Sequence, residues 1–327
     1  MRDFLSDDGQ VVLALCSAFG SAASELEPLR LSEWNQLARQ IEGSSLKTPA
    51  ALHGLGSESL LKELAIAPEL AERIGRLLER SARLALELES LFAKGMWAVT
   101  KVDEGYPPRL RQKLRHQAPS VLFGAGDLSR ARQGGVAVVG SRNIDEPGIA
   151  FARAVGRRAA LDKMAVISGG AKGSDRLAMT GALEAEGVVV GVLADSLERT
   201  IRQPDVRDLV LEGRLTLLTP YVPTAGFSIG GAMGRNKIIY GLAECAVVVS
   251  SDFETGGTWA GAVEALKAGW CPVFVRESEH APQGNRELLK VGATALPEHL
   301  AGELEGFAAW LRRNGKTRPI EQDLFSR

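Results

Sequence analysis

Apolar residues recur at helical spacing through residues 1 to 92. Leu13, Leu15 and Cys16 open an apolar face, and Leu29, Leu31, Trp34, Leu37 and Ile41 continue it. Leu60 to Ile66 is a further short segment. Pro68 then opens a longer predicted helix, with Leu70, Ile74, Leu77, Leu78, Leu84, Leu86 and Leu91 as its buried stripe and Glu72, Arg73, Arg76, Glu79 and Arg80 facing solvent. No β-rich stretch interrupts this region, which reads as a small helical module without catalytic features.

The pattern changes at Gly95. Met96–Lys101 and Ser120–Gly124 read as short edge strands around a turn at Gly105-Tyr-Pro-Pro-Arg109. From Gly135 onward, strand, loop and helix alternate. Val136–Val139, Ala165–Ile167, Val188–Leu193, Leu215–Leu218, Ala246–Val249 and Pro272–Val275 are continuous apolar, β-branched runs, as in parallel strands covered on both faces. Helices are predicted at Pro147–Asp162, Gly173–Glu186, Val206–Leu211, Lys237–Ala243, Trp259–Ala268 and Arg286–Val291. The fold class is therefore α/β, a Rossmann-like doubly wound parallel sheet with an all-helical N-terminal domain. The expected domains are 1–92 (helical), 93–300 (the sheet) and 301–327. The last holds one amphipathic helix, Leu304 to Leu311 with Phe307 and Trp310, and a basic tail too short for a third domain.

Composition narrows the class. No apolar run among the 327 residues reaches the ~20 that span a membrane, and the first residues do not read as a signal peptide. Cys16, Cys245 and Cys271 are odd in number and lack metal-ligand spacing, and the four histidines are scattered. A reduced, cytoplasmic protein without metal or cofactor is expected. The net charge of −1 argues against indiscriminate duplex binding, so any polyanion site must concentrate its cations locally.

Three loop elements supply that concentration. Gly140-Ser141-Arg142 ends the first long strand, where glycine permits close approach and Arg142 offers a bidentate phosphate contact. Ser168-Gly169-Gly170-Ala171-Lys172-Gly173-Ser174-Asp175 ends the second strand and runs into a helix. Ser174 or Asp175 fits a helix cap, while Lys172 fits either a phosphate cation or a solvated side chain. Arg235, Asn236 and Lys237 precede an apolar helix, and two cations at a helix start call for an anion. Gly256, Gly257 and Thr258 suit a phosphate or sugar at another helix start. Asn285 either reads a base edge or caps a helix. Asp195 follows the third strand and contacts a ribose or, in the blander reading, caps a turn. Neither G-x-G-x-x-G nor the Walker A order occurs, and no nucleophilic triad, zinc signature or carboxylate pair stands out. No catalytic residue is expected.

Together these motifs resemble the DNA-processing protein A (DprA/Smf) family. The resemblance rests on Gly140–Arg142, Ser168–Asp175, Arg235-Asn-Lys-Ile-Ile-Tyr-Gly-Leu242, Gly256–Thr258 and Gly284-Asn-Arg-Glu-Leu-Leu-Lys-Val-Gly-Ala293, with Tyr106-Pro-Pro-Arg-Leu110 and Pro119–Gly126 upstream. It implies single-stranded DNA binding, recombinase loading of the RecA type, a role in natural transformation or a related defence process, and a homodimer. Phosphate contacts would then come from Arg142, Lys172, Arg235, Lys237 and the glycine N–H groups. The chain departs from the family pattern at Arg199–Pro204, at Lys172 and Ser174, and at Arg286, which takes the place of an asparagine found here one position earlier. A divergent member lacking the C-terminal winged helix is expected.

Two rivals share the site. The LOG-type phosphoribohydrolases resemble the Ser168–Asp175 loop, but their P-G-G-x-G-T-x-x-E glutamate falls on Gly261, with Glu264 one helical turn away and Glu254 ahead of the loop. A nucleotide-signal sensor would use the same pocket and pass the event to a partner.

Overall fold

The computed structural model describes residues 4–20, 27–299 and 306–316. Leu304 and the tail beyond 316 lie outside the described residues. The chain forms two compact units.

The first unit comprises Met1–Tyr106, Arg115–Ala125 and Thr219–Ala225. Its helices are α1 (Asp7–Cys16), α2 (Leu31–Gly43), α3 (Ser57–Leu64), α4 (Pro68–Leu78) and α5 (Ser81–Ala93). Val11 to Leu15, Trp34, Leu37, Ile41, Ile74 and Leu77 form the apolar centre. The single long helix expected after Pro68 is two, broken at Glu79 and Arg80. The break turns Arg80 inward, where Nη2 donates to the carbonyls of Ala14 (2.6 Å) and Ser17 (3.1 Å). Arg73 is likewise half-buried against Glu33 rather than solvated. Leu86 is 68 % exposed, contrary to expectation, because the stripe of α5 runs through Leu84, Leu88 and Leu91, and Leu86 sits two residues off that face. Strands β1 (Met96–Thr100) and β2 (Val121–Ala125) pair antiparallel, from Met96 opposite Ala125 to Thr100 opposite Val121. The buried Asp103 carboxylate accepts from Thr100 N (2.7 Å) and Ser6 N (2.9 Å), tying strand end to chain start. The helices thus share a unit with the two strands read from sequence as edge pieces of the sheet domain.

The second unit comprises Pro107–Leu114, Gly126–Leu218 and Gly226–Arg327. In chain order it holds α6 (Pro108–Leu114), α7 (Leu128–Gln133), β3 (Val136–Val139), α8 (Glu146–Leu161), β4 (Val166–Ser168), α9 (Ser174–Glu184), β5 (Val189–Val192), α10 (Leu197–Ile201), α11 (Pro204–Leu211), β6 (Leu215–Thr219), α12 (Ile229–Leu242), β7 (Cys245–Val248), α13 (Gly256–Ala268), β8 (Val273–Glu277), α14 (Gln283–Lys290), β9 (Thr294–Pro297) and α15 (Phe307–Asn314). These strands are mutually parallel in the order β6-β5-β4-β3-β7-β8-β9. Every residue of β3, β5 and β7 is buried, as continuous apolar runs require of a two-sided sheet.

The chain winds outward from β3 to β6, then returns to place β7 on the other side of β3. Right-handed crossovers in opposite directions send α8 and α9 to one face and α12 and α13 to the other. The connections leaving the carboxyl ends of β3 and β7 therefore turn to opposite faces of the sheet, and such a switch point is where these sheets take their ligands.

Three helices begin earlier than the sequence reading placed them. α12 starts at Ile229, α13 at Gly256 and α14 at Gln283, not at Lys237, Trp259 and Arg286. The first turns of α12 and α13 are glycine-rich, so neither propensity nor apolar period marks them. Ser228 caps α12 by accepting from Gly231 N (3.0 Å).

Candidate functional site

A cleft of about 960 Å³ opens at the switch point between β3 and β7. Gly140 to Asn143 form one rim, Asp252 to Thr255 the other, and α12 and the first turn of α13 make the wall. Arg142 is exposed on the first rim. Thr255, the residue before α13, makes no side-chain cap, so the first N–H groups of that helix face the cleft unclaimed by a cap. A helix start of this kind attracts anions.

The rims are held by main-chain contacts. Ser141 N donates to Ser250 O (2.8 Å), joining the loop after β3 to the loop after β7. Ser174 Oγ donates to Ser141 O (3.2 Å), joining it to the loop after β4. Gly173 lies at φ +90° with its Cα against that first loop. A Cβ there would stand 2.5 Å from Arg142 O, so no other residue fits.

Behind the rims stands a buried clamp. Arg276 on β8 is fully buried, and its guanidinium forks onto Asp145 (Nη2–Oδ1 2.9 Å, Nη1–Oδ2 3.3 Å) and reaches Glu298 (3.0 Å). Asp145 ends the Arg142 loop, so the loop is anchored from below. Asn285 completes the clamp. Its Oδ1 accepts from Ser251 N (2.8 Å), and its Nδ2 donates to Arg276 O (3.0 Å) and Val249 O (3.1 Å). The sequence marked Asn285 as a base reader or a cap, but the structure buries it and commits its amide to the ends of β7 and β8. Arg276 had no sequence signal beyond being a cation within an apolar strand.

The Arg235-Asn236-Lys237 trio is corrected by the geometry. These residues lie in the middle of α12, not at its start, so the argument from cations crowding a helix N-terminus does not apply. Arg235 is buried, and its guanidinium packs on Gly169, where any Cβ would overlap Nη1. Beside it lies Asp175, whose carboxylate accepts from Gly169 N (3.1 Å). Burial raises the Asp175 carboxyl to about 6, while Arg235 and the loop N–H groups pull it back. Asn236 Nδ2 donates to Gly257 O (3.2 Å) and ties α12 to the start of α13. Lys237 is half-buried and does not line the cleft.

The remaining expected residues divide. Gly140, Ser141, Arg142, Arg235, Asn236, Gly256, Gly257 and Thr258 come together around the cleft. Ser168 is buried, its Oγ donating to Val138 O (2.6 Å) between strands. Gly169, Gly170 and Gly173 shape the loop after β4 without lining the cleft, and Lys172 is exposed beyond it. Asp195 pairs with Arg199 (3.3 Å) outside the cleft.

Sequence reasoning missed the apolar side of the site. Phe227 is 55 % exposed, Ile229 75 % and Met233 half-exposed, all lining the cleft with Trp259, whose ring meets Phe253 edge-on at 5.0 Å. Isolated apolar residues within a Gly-Pro-Ser stretch were the only signal. Asp252 and Glu254 also line the rim opposite Arg142, so the cleft is polarised. Cys245 and Cys271 are buried thiols, Cys271 pushed up to about 12 by desolvation, and neither is a nucleophile. Among the described residues no helix is long and apolar enough to cross a membrane.

A doubly wound parallel sheet with an anion-attracting cleft at its switch point defines a protein of the nucleotide-binding-fold class. The family model of DNA recombination-mediator protein A matches residues 97–304, and the chain belongs to that family. It is 28 % identical over 282 residues to a putative DNA processing protein DprA of Mycobacterium tuberculosis, covering 80 % of this chain and 71 % of that one. It is 29 % identical over 236 residues to protein Smf of Escherichia coli, covering 68 % and 61 %. The fold is shared with DNA processing protein A of Streptococcus pneumoniae (TM-score 0.56, 21 % identical, covering 85 % of this chain and 99 % of that chain). It is shared too with that of Helicobacter pylori, whose structure is described as showing a unique single-stranded DNA binding mode (TM-score 0.53, 20 % identical, covering 68 % and 97 %).

Proposed function

We propose that the cleft binds single-stranded DNA without cleaving it. The observation that carries this reading is the juxtaposition in one cleft of an exposed arginine, an uncapped helix start and exposed apolar and aromatic side chains. Arg142 and the first N–H groups of α13 take phosphates, while Phe227, Met233 and Trp259 take base faces. Phosphate contacts and stacking together give sequence-tolerant, salt-sensitive binding. Asp252 and Glu254 repel the backbone from the opposite rim and so fix which side it follows.

No step of bond cleavage enters this reading. Gly261 stands where a phosphoribohydrolase of the related type carries its glutamate, and the exposed Glu264 lies outside the cleft. The family description supports a role in recombination; passage of the bound strand to a RecA-type recombinase is implied by the resemblance. The homodimer is implied by the resemblance alone.

The test is fluorescence anisotropy of labelled oligothymidylates at two salt concentrations, with the wild type and Arg142→Ala. Tight binding that weakens with salt and drops at least tenfold in the variant supports the reading. Saturation by a single nucleotide, with no gain from a longer strand, would replace it with a mononucleotide sensor. Release of free base from AMP would replace it with a hydrolase.

A further inference from the structure

Of the three tyrosines in the chain, Tyr106 and Tyr240 are each 1 % exposed. The Tyr106 hydroxyl donates to Pro119 O (2.9 Å). The Tyr240 hydroxyl, equally buried, has no hydrogen-bond partner among the described residues. Buried hydroxyls are nearly always partnered, because an unmade bond there costs the desolvation of the group. Tyr240 also lines the cleft, from the buried half of α12. Side chains lean toward the N-terminus of their helix, and the N-terminal half of α12 is the cleft wall, so the ring rises toward the ligand space. Its hydroxyl stands 3.6 Å from where a Cβ on Gly261 would be. Gly261 is about 7.5 Å along α13 from Gly256, deeper than the uncapped N–H groups at the helix start.

Resting on the strand-binding reading, we infer that Tyr240 reads a base: its hydroxyl donates to a carbonyl oxygen of one base turned edge-first toward the cleft floor. The floor suits a base better than a phosphate. Ile239 and the Tyr240 ring, both buried, give it apolar ground, and Met233 and Trp259 line the same cleft. Arg142 is out on the rim, and Arg235 is engaged with Gly169 and Asp175. Burial first, then Cys271, Asp175 and Glu264, raises the titration of the Tyr240 hydroxyl. The group therefore keeps its proton and donates, while the two carboxylates oppose a further anion beside it. The acceptor class that remains is a neutral oxygen. Thymine and guanine present one, at O4 and O6, where adenine presents an amino donor. Leaving the buried hydroxyl unpaired penalises adenine, so a mild base preference is added to otherwise sequence-tolerant binding.

The experiment measures anisotropy of labelled strands of roughly 12 nucleotides, within the span of one strand-binding site. Three strands are compared, oligothymidylate, oligoadenylate and an abasic deoxyribose-phosphate chain, on the full chain as wild type and Tyr240→Phe, with a thermal melt of each protein. The variant is expected to bind oligothymidylate about fivefold more weakly and the other two strands within about twofold of wild type. It is expected to melt no lower than wild type, since the deleted hydroxyl leaves no protein partner behind. Equal binding of oligothymidylate by both proteins would overturn the base contact. So would a loss shared by oligoadenylate, which lacks the oxygen, or by the abasic strand, which would assign the hydroxyl to the backbone. A lowered melt would assign the hydroxyl to the fold and overturn the contact as well. In each of these cases wild-type binding and its loss in Arg142→Ala stand, and the strand-binding reading survives. Failure of the wild type to bind any of the three strands would sink that reading and the base contact with it.

Discussion

Arg142 and Arg235 are the same residue type, both legible from the sequence as phosphate cations, and both border the same cleft. One lies on an open loop and is exposed. The other is buried on Gly169 beside the raised carboxyl of Asp175. Arg142 has lost little hydration and remains available to a ligand. Arg235 has lost nearly all of it, and its charge is committed to holding α12 against the loop after β4. The contrast teaches that a cation's role follows from burial and neighbours, which a linear motif does not record.

The strongest way to break the comparison is to truncate both. Arg235→Ala leaves Asp175 buried without its nearest counter-charge, and a loss of about 3 to 5 kcal/mol is expected in denaturant unfolding at pH 8. Its pH dependence sharpens the point. Because burial lifts the folded carboxyl to about 6, above its ordinary 3.8, its favourable contribution is complete below 3.8 and lost as pH rises through 6. Removing Arg235 raises that carboxyl further, so the variant's deficit should be small at pH 5 and full at pH 8. A deficit equal at both would reject the pairing. Arg142→Ala should leave stability within about 0.5 kcal/mol and act on strand binding alone.

Next in size is Gly169→Ala. The added methyl collides with the Arg235 guanidinium, and a cost of about 2 to 3 kcal/mol is expected from overpacking. A thermal midpoint unchanged from wild type would show that Arg235 moves freely. Asp252→Asn should go the other way for binding, tightening oligonucleotide affinity severalfold with stability unchanged, because a like charge leaves the rim opposite Arg142. Smallest are Lys172→Gln and Lys237→Gln. Both lie outside the cleft, and each should change the salt slope by less than the roughly 0.7 of one full phosphate contact.

Much of the sheet was legible because its strands are continuous apolar runs, and burial on both faces demands just that composition. Loop positions followed, since they are what remains between periodic segments. The starts of α12 and α13 were hidden because Gly230, Gly231, Gly256 and Gly257 carry no helical signal, and caps and packing make those turns instead. The break between α4 and α5 was hidden for the opposite reason, a stretch of good helix formers whose interruption is set by Arg80 finding carbonyls elsewhere in the unit. In the cleft, residue types pointed to Arg142 and the glycines. They misjudged Asn285 and passed over Phe227, because partners distant in sequence decide both.

Asn285 has a consequence for how such a chain changes over generations. All three of its partners are main-chain atoms, Ser251 N, Val249 O and Arg276 O. A fastening that ignores the side chains it joins leaves those neighbours free to drift. The cleft-lining loop after β7 can therefore exchange its composition while the scaffold beneath inherits an unaltered joint.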